Sequence, residues 1–309
     1  MGTCKSEGGH KLKGTLTPQG AKNEALQILA AVLLSPDKIT LKNIPEIRDI
    51  LRMIELLKGL GVKVEKLGKG EYTFQSNEIN LDYFHTEEFR TKGAAIRGSI
   101  MIIGPLLARF GIGYIPSPGG DKIGRRRLDT HFIGFENLGA EFIYNKDTGF
   151  YKVEAKNLKG SYMLLEEASV TGTANILMAA SMAEGTTTIY NAACEPYLQQ
   201  LSRMINSMGG KISGIGSNLL TIEGVKELHG CEHTILPDMI EIGSFISLAA
   251  LTQSEITIEN CRVDQLGIIP NVYRKLGVQF EIKDDNIIIP ENKHYEIDSF
   301  IDGSMMTIA

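Results

Sequence analysis

The 309-residue chain has few cysteines, no long apolar run and no surplus of positive charge. Each shortage argues against a class of protein. The four cysteines (Cys4, Cys194, Cys231 and Cys261) lie far apart with no Cys-x-x-Cys pair, which suits reduced thiols better than a disulfide frame. The longest apolar runs, such as Ile100 to Ala108, are too short and too broken by Gly and Pro to span a bilayer, and no cleavable signal opens the chain. A cytoplasmic protein without a membrane partner is expected. MGTCKS fits the loose myristoylation pattern, but a six-residue match is too short to carry lipidation. A net charge of -5 argues against a nucleic-acid partner. A P-loop, a dinucleotide fingerprint and a nucleophile elbow are also missing. What remains is ordinary globular composition, 43% hydrophobic and 22% charged, long enough for two domains.

Against this acidic background one stretch stands out. Residues 116–131, PSPGGDKIGRRRLDTH, place four cations within six residues, behind a glycine pair and a single acid. Pro116, Pro118, Gly119, Gly120 and Gly124 give the segment freedom to pivot, and closing on an anionic ligand would neutralise its cations and exclude water. His229 and His233 are spaced four apart around Cys231, but Gly230 and a loop context speak against a metal site.

The sequence also repeats itself. An apolar, small-residue helix pattern, a short strand and an amphipathic helix closed by a glycine turn occur four times. The closing glycines, Gly61, Gly139, Gly209 and Gly277, are 78, 70 and 68 residues apart. The strands are KITLKN (38–43), IGYIPS (112–117), TTTIYN (186–191) and EITIEN (255–260). AKNEALQILAAVLL and TGTANILMAASMA carry the dense apolar and Ala positions of buried helices. The spacing predicts an α/β fold of repeated βαβαββ units, helices buried within and sheets outside.

Four longer segments carry a family resemblance. GGHKLKGTLTPQGAKNEALQILAAVLL, RFGIGYIPSPGGDKIGRRRLDTH, LLEEASVTGTANILMAASMAEGTTTIYNAACEP and LPDMIEIGSF, in that order over nearly the whole chain, resemble the UDP-N-acetylglucosamine 1-carboxyvinyltransferases. These enolpyruvyl transferases open peptidoglycan precursor synthesis. The resemblance implies an inverse α/β barrel of two domains, each of three units, with the active site in the cleft between them. It implies a complete three-unit domain at 22–231, carrying the lid loop 116–131, and a partial second domain from 1–21 plus 232–309. The last residues, SFIDGSMMTIA, stop on an apolar strand-like run, so a cut chain is expected. Such a chain would have little or no activity alone, and a full-length one would be a monomer. The related shikimate-pathway transferase and a non-catalytic nucleotide-sugar-binding fragment are the alternatives.

The family reaction moves an enolpyruvyl group from phosphoenolpyruvate to the 3-hydroxyl of UDP-N-acetylglucosamine and releases phosphate. The resemblance implies no metal and no organic cofactor. Such chemistry needs cations for a phosphorylated substrate, an acid over the double bond and a dry site. Lys22 and Asn23, at the start of the first long helix pattern, are positioned for phosphate. Arg97 would face the nucleotide sugar, and Arg126 the phosphoryl groups. Arg126, Arg127, Leu128, Asp129 and Thr130 would bind the nucleotide, with Asp129 meeting uracil. Glu167, Ala168, Ser169 and Val170 match a second nucleotide-contacting segment, although Glu167 stands where many members have lysine. Glu195 and Asp238 match acidic cleft positions and serve equally well as helix or loop caps. Asp121 occupies the place of the family's catalytic cysteine, the atom alkylated by fosfomycin. It is expected to act as the general acid and to confer resistance.

Overall fold

The structure is a computed structural model that describes residues 5, 7–117, 119 and 127–304. Asp121 and Arg126 lie outside the described residues. The chain divides into two compact units, one of Lys22–Ile235 and a smaller one of Met1–Ala21 with Leu236–Ala309. The switch was expected at 231. It falls at 235 because Glu232–Thr234 form a strand parallel to Lys38–Lys42, with Glu232 opposite Thr40, in a sheet of the larger unit.

The smaller unit begins with β1 (Lys13–Leu16). The larger unit then repeats one plan three times. The first copy runs α1 (Lys22–Ala31), β2 (Lys38–Lys42), α2 (Arg48–Gly59), β3 (Lys63–Gly68) and β4 (Glu71–Gln75). The second has α3 (Glu87–Ala94), a 3-10 turn over Arg97–Ile102, α4 (Ile103–Phe110), β5 (Ile112–Pro116), α5 (Asp129–Asn137), β6 (Glu141–Asn145) and β7 (Phe150–Glu154). The third has β8 (Tyr162–Leu164), α6 (Val170–Ala180), β9 (Thr186–Tyr190), α7 (Pro196–Ser207), β10 (Lys211–Ser213) and β11 (Leu219–Glu223), followed by β12 (Glu232–Thr234). The smaller unit holds a fourth copy: α8 (Met239–Leu251), β13 (Glu255–Ile258), α9 (Ile269–Lys275), β14 (Glu281–Lys283) and β15 (Asn286–Ile289).

Three sheets share one construction. In β12-β2-β4-β3, β8-β9-β11-β10 and β1-β13-β15-β14 a parallel edge strand precedes an antiparallel trio. The second copy's sheet, β5-β7-β6, has only the trio among the described residues. Where two of the middle strands end, Asn43 and Asn191 turn into the left-handed region at φ 58° and 59°. Each donates its side-chain amide, at 2.9 Å, to the carbonyl just past the parallel strand, Ile235 O and Leu165 O. Asn260 makes the same turn in the smaller unit, at φ 55°. The four closing glycines all adopt positive φ, from 82° to 99°, which explains the residue chosen at each turn.

Burial follows the residue patterns. Ala25, Ile28, Leu29, Ala30 and Ala31 of α1 are fully enclosed, as are Ile176 to Ala180 of α6, because small side chains let helices approach closely on several sides. Strands β2 and β9 alternate, with Ile39, Leu41 and Ile189 inward. The three described cysteines are unpaired. Among the described residues, no single helix is long and apolar enough to cross a membrane.

Candidate active site

Lys22 is the first residue of α1, where the initial backbone N–H groups have no partner within the helix. Its Nζ lies 2.6 Å from Asp49 Oδ2, in the first turn of α2. Asn23 follows, exposed. One turn further on, Leu26 packs on Gly98, whose missing side chain leaves room for it; a Cβ there would sit 2.9 Å from Leu26 Cδ2. That contact brings the start of α1 close to Arg97, which opens the 3-10 turn.

Arg97 reaches the end of the basic run. Its Nη2 donates to Arg127 O at 3.4 Å. Arg127 grips Asp129 through both prongs, Nε to Oδ2 at 2.9 Å and Nη2 to Oδ1 at 3.1 Å. The carboxylate expected to meet uracil is therefore held by its neighbour at the head of α5. Two cavities flank this pair. One, of about 500 Å³, is walled by Arg97, Arg127 and Asp129 on one side and by Phe132, Phe142 and Tyr151 on the other. Those rings stack, with centroids 4.1 Å apart for Phe132 and Phe142 and 5.1 Å for Phe132 and Tyr151. The other, of about 210 Å³, lies between Arg127, Asp129 and Thr130 and the segment carrying Glu166 and Glu167. It brings the two expected nucleotide segments together. A larger cavity of about 860 Å³, at the C-terminal end of α4 with Arg109, Lys156 and Lys226, contains none of the expected site residues.

Ser169 caps α6, its Oγ accepting from Gly172 N–H at 3.2 Å. Ala168 is exposed beside it. Asp238 likewise caps α8, accepting from Ile240 and Glu241 N–H at 2.9 and 3.3 Å. Glu195 differs from both. It precedes α7 without a side-chain capping bond, and its Oε2 is buried with no hydrogen-bond partner among the described residues. His233 pairs with the fully buried Glu24 at 2.9 Å rather than with His229, which is exposed near Asp37.

Sequence reasoning passed over the polar centre behind these segments. His131 (2% exposed) and Asn175 (0%) bond to each other, Asn175 Nδ2 to His131 Nδ1 at 2.9 Å, and tie α5, α6 and the start of α4 together. Burial, and then the charge of Arg97, push the His131 imidazole down to about 3, so the ring is neutral at physiological pH. The one available signal was an amide inside the otherwise apolar run GTANILMAA.

Comparison with known proteins places this arrangement. The family model described as EPSP synthase (3-phosphoshikimate 1-carboxyvinyltransferase) matches residues 6–308. Two solved structures share the fold. The enolpyruvyl transferase NikO from Streptomyces tendae superposes with a TM-score of 0.79 at 17% identity, over 93% of this chain and 67% of that one. EPSP synthase from Acinetobacter baumannii gives 0.72 at 18%, over 92% and 66%. Sequence relatives are nearer. UDP-N-acetylglucosamine 1-carboxyvinyltransferase of Bacteroides thetaiotaomicron is 60% identical over 98% of this chain and 70% of its own length. The enzyme of the same name from Porphyromonas gingivalis is 57% identical over the same shares. The shikimate name therefore belongs to the broad fold, and the high identities lie with the nucleotide-sugar enzymes. The chain belongs to the UDP-N-acetylglucosamine 1-carboxyvinyltransferase family of enolpyruvyl transferases.

Proposed function

We propose that this protein serves the transfer of the enolpyruvyl group from phosphoenolpyruvate to the 3-hydroxyl of UDP-N-acetylglucosamine, with release of phosphate, in the cytoplasm. The carrying observation is identity of 57–60% to enzymes of that name across 98% of the chain. The geometry gives it support, since Lys22, Arg97 and residues 127–130 belong to one compact unit and Arg97 hydrogen-bonds Arg127.

The reaction protonates the methylene carbon of phosphoenolpyruvate to a methyl group and adds the sugar hydroxyl oxygen to its central carbon as the hydroxyl gives up its proton to a base. The methyl group then loses a proton while the bond from the central carbon to the phosphate oxygen breaks, which restores the double bond and releases phosphate. In this reading Lys22 and Asn23 hold the phosphate of phosphoenolpyruvate, Arg97 and Arg126 carry the charge of the two substrates, and Asp121 delivers the proton. The nucleotide lies along Arg126 to Thr130 and Glu167 to Val170. Glu167 adds a negative charge beside that path, where Arg127 offsets it in the smaller cavity. The enzyme acts as a monomer.

Calorimetry with the purified protein tests the substrate. Binding of UDP-N-acetylglucosamine without binding of shikimate 3-phosphate is expected; the reverse would overturn the proposal.

A further inference from the structure

Glu24 is the third residue of α1 and fully buried, one position after Asn23 and two after Lys22. A carboxylate taken out of water is costly unless hydrogen bonds or an opposite charge meet it. One partner is His233, whose side chain is 9% exposed and whose Nε2 lies 2.9 Å from Glu24 Oε1. For folding alone these are poor residues to choose, because apolar side chains of similar volume often serve as well as a buried ion pair or better. What the hydrogen bond adds is a fixed length and direction. His233 is the middle residue of β12, opposite the buried Leu41 of β2. Its strand is held on either side, by Thr40 N–H donating to Cys231 O at 2.9 Å and by Ile235 N–H donating to Lys42 O at 3.0 Å. Within α1, Lys22 is partly open to water, Asn23 is exposed and apolar packing starts only at Ala25, so Glu24 is the first enclosed side chain of the helix. A hydrogen on Nε2 leaves the charge on the carboxylate, where the unpaired N–H groups of the first turn favour it.

We propose that His233 and Glu24 are positioning residues for phosphoenolpyruvate: β12 holds the first turn of α1 through the Nε2–H to Oε1 bond and so fixes where Lys22 and Asn23 meet the phosphate. This deepens the functional reading above and rests on it. Neither His233 nor Glu24 touches the ligand. The nucleotide segments stand at the starts of α5 and α6, on elements the pair does not hold, so its loss should be felt by one substrate and not by the other.

The test is calorimetry on the 309-residue protein with phosphoenolpyruvate and with UDP-N-acetylglucosamine. Glu24→Ala, which removes the acceptor, should weaken phosphoenolpyruvate about 10-fold, on the order of one hydrogen bond to a charged group, and leave the nucleotide sugar within about twofold. Glu24→Gln keeps an oxygen for the Nε2 hydrogen and should stay within about threefold for both ligands. The double variant Glu24→Leu/His233→Leu, which leaves no charge buried, should show the same selective loss as Glu24→Ala. Nitrogen NMR of the native protein should find a hydrogen on His233 Nε2. Native affinity for phosphoenolpyruvate in Glu24→Ala or in the double variant overturns the proposal, since packing alone would then suffice. An equal loss for both ligands overturns it as well, because it marks general loosening. A Glu24→Gln as weak as Glu24→Ala, or a bare Nε2, overturns the hydrogen bond. A native protein that binds the nucleotide sugar but not phosphoenolpyruvate removes the phosphate role of Lys22 and this proposal with it, and one that binds neither removes the functional reading.

Discussion

Lys22 and Asp49 are each about 40% exposed, and an ion pair so open to water contributes little to folding. The lysine charge thus remains available to an incoming phosphate. In the enzyme completed to its relatives' length, Lys22→Ala is expected to lower kcat/KM for phosphoenolpyruvate by roughly 10- to 150-fold, the range for losing one charge-assisted hydrogen bond. Lys22→Arg should restore part of that, because a planar fork does not replace a flexible point charge; steady-state kinetics that leave Lys22→Ala at native values would remove its role. Asp121 calls for a paired experiment in the same enzyme. An amide cannot give up and recover a proton, so Asp121→Asn should abolish most turnover, whereas Asp121→Cys should remain active. A thiolate attacks a simple epoxide far better than a carboxylate does, so the native enzyme should resist fosfomycin and Asp121→Cys should become sensitive. Covalent inactivation of the native enzyme, detected by mass spectrometry, would show the acid to be elsewhere. Single residues such as Lys22 could be nominated from the sequence because they stand in long motifs. His131 and Asn175 were not, since nothing local in GTANILMAA shows that the amide faces a buried imidazole 44 residues away.

At the scale of elements, the repeating helices, the middle strands and the glycine turns could be read from residue patterns, because period and positive-φ preference are local properties. The parallel edge strands could not. β8 and β12 are three residues each, too short to display alternation, and only pairing with β9 and β2 defines them. The closing turns also differ in a way the sequence hides. A Cβ on Gly61 would lie 2.3 Å from Glu78 O, whereas one on Gly139 would meet nothing within 4 Å, although both glycines have positive φ. Gly139→Ala should therefore cost only the strain of a left-handed backbone, about 1–2 kcal/mol. Gly61→Ala should cost clearly more, since a backbone carbonyl must also move. Urea midpoints of the two variants test this, and equal losses would count against it.

For the molecule as a whole, the buried imidazole sets an acid limit. His131 is held neutral down to about pH 3, while in the unfolded chain it takes up a proton near 6.5. Its contribution is thus fully present above about pH 6.5 and is lost as pH falls toward 3, on the order of 4 kcal/mol in all. Urea unfolding at pH 7, 5 and 4 should show native stability falling more steeply than that of His131→Asn, whatever the variant's absolute stability; parallel slopes would contradict this. The strand corners bear on the molecule at the same scale. Asn43 and Asn191 each fasten a neighbouring strand, but Ser117 stands at that corner in the second copy, whose sheet has no parallel edge strand among the described residues. Inserting four glycine-serine residues after Ser117 should leave the urea midpoint nearly unchanged, whereas the same insertion after Asn43 or Asn191 should lower it. In a chain with several versions of one part, the version relieved of fastening duty can lengthen and change without loosening its siblings. The basic run 122–127 follows that corner in the sequence, so redundancy of architecture leaves room there for the sequence to change.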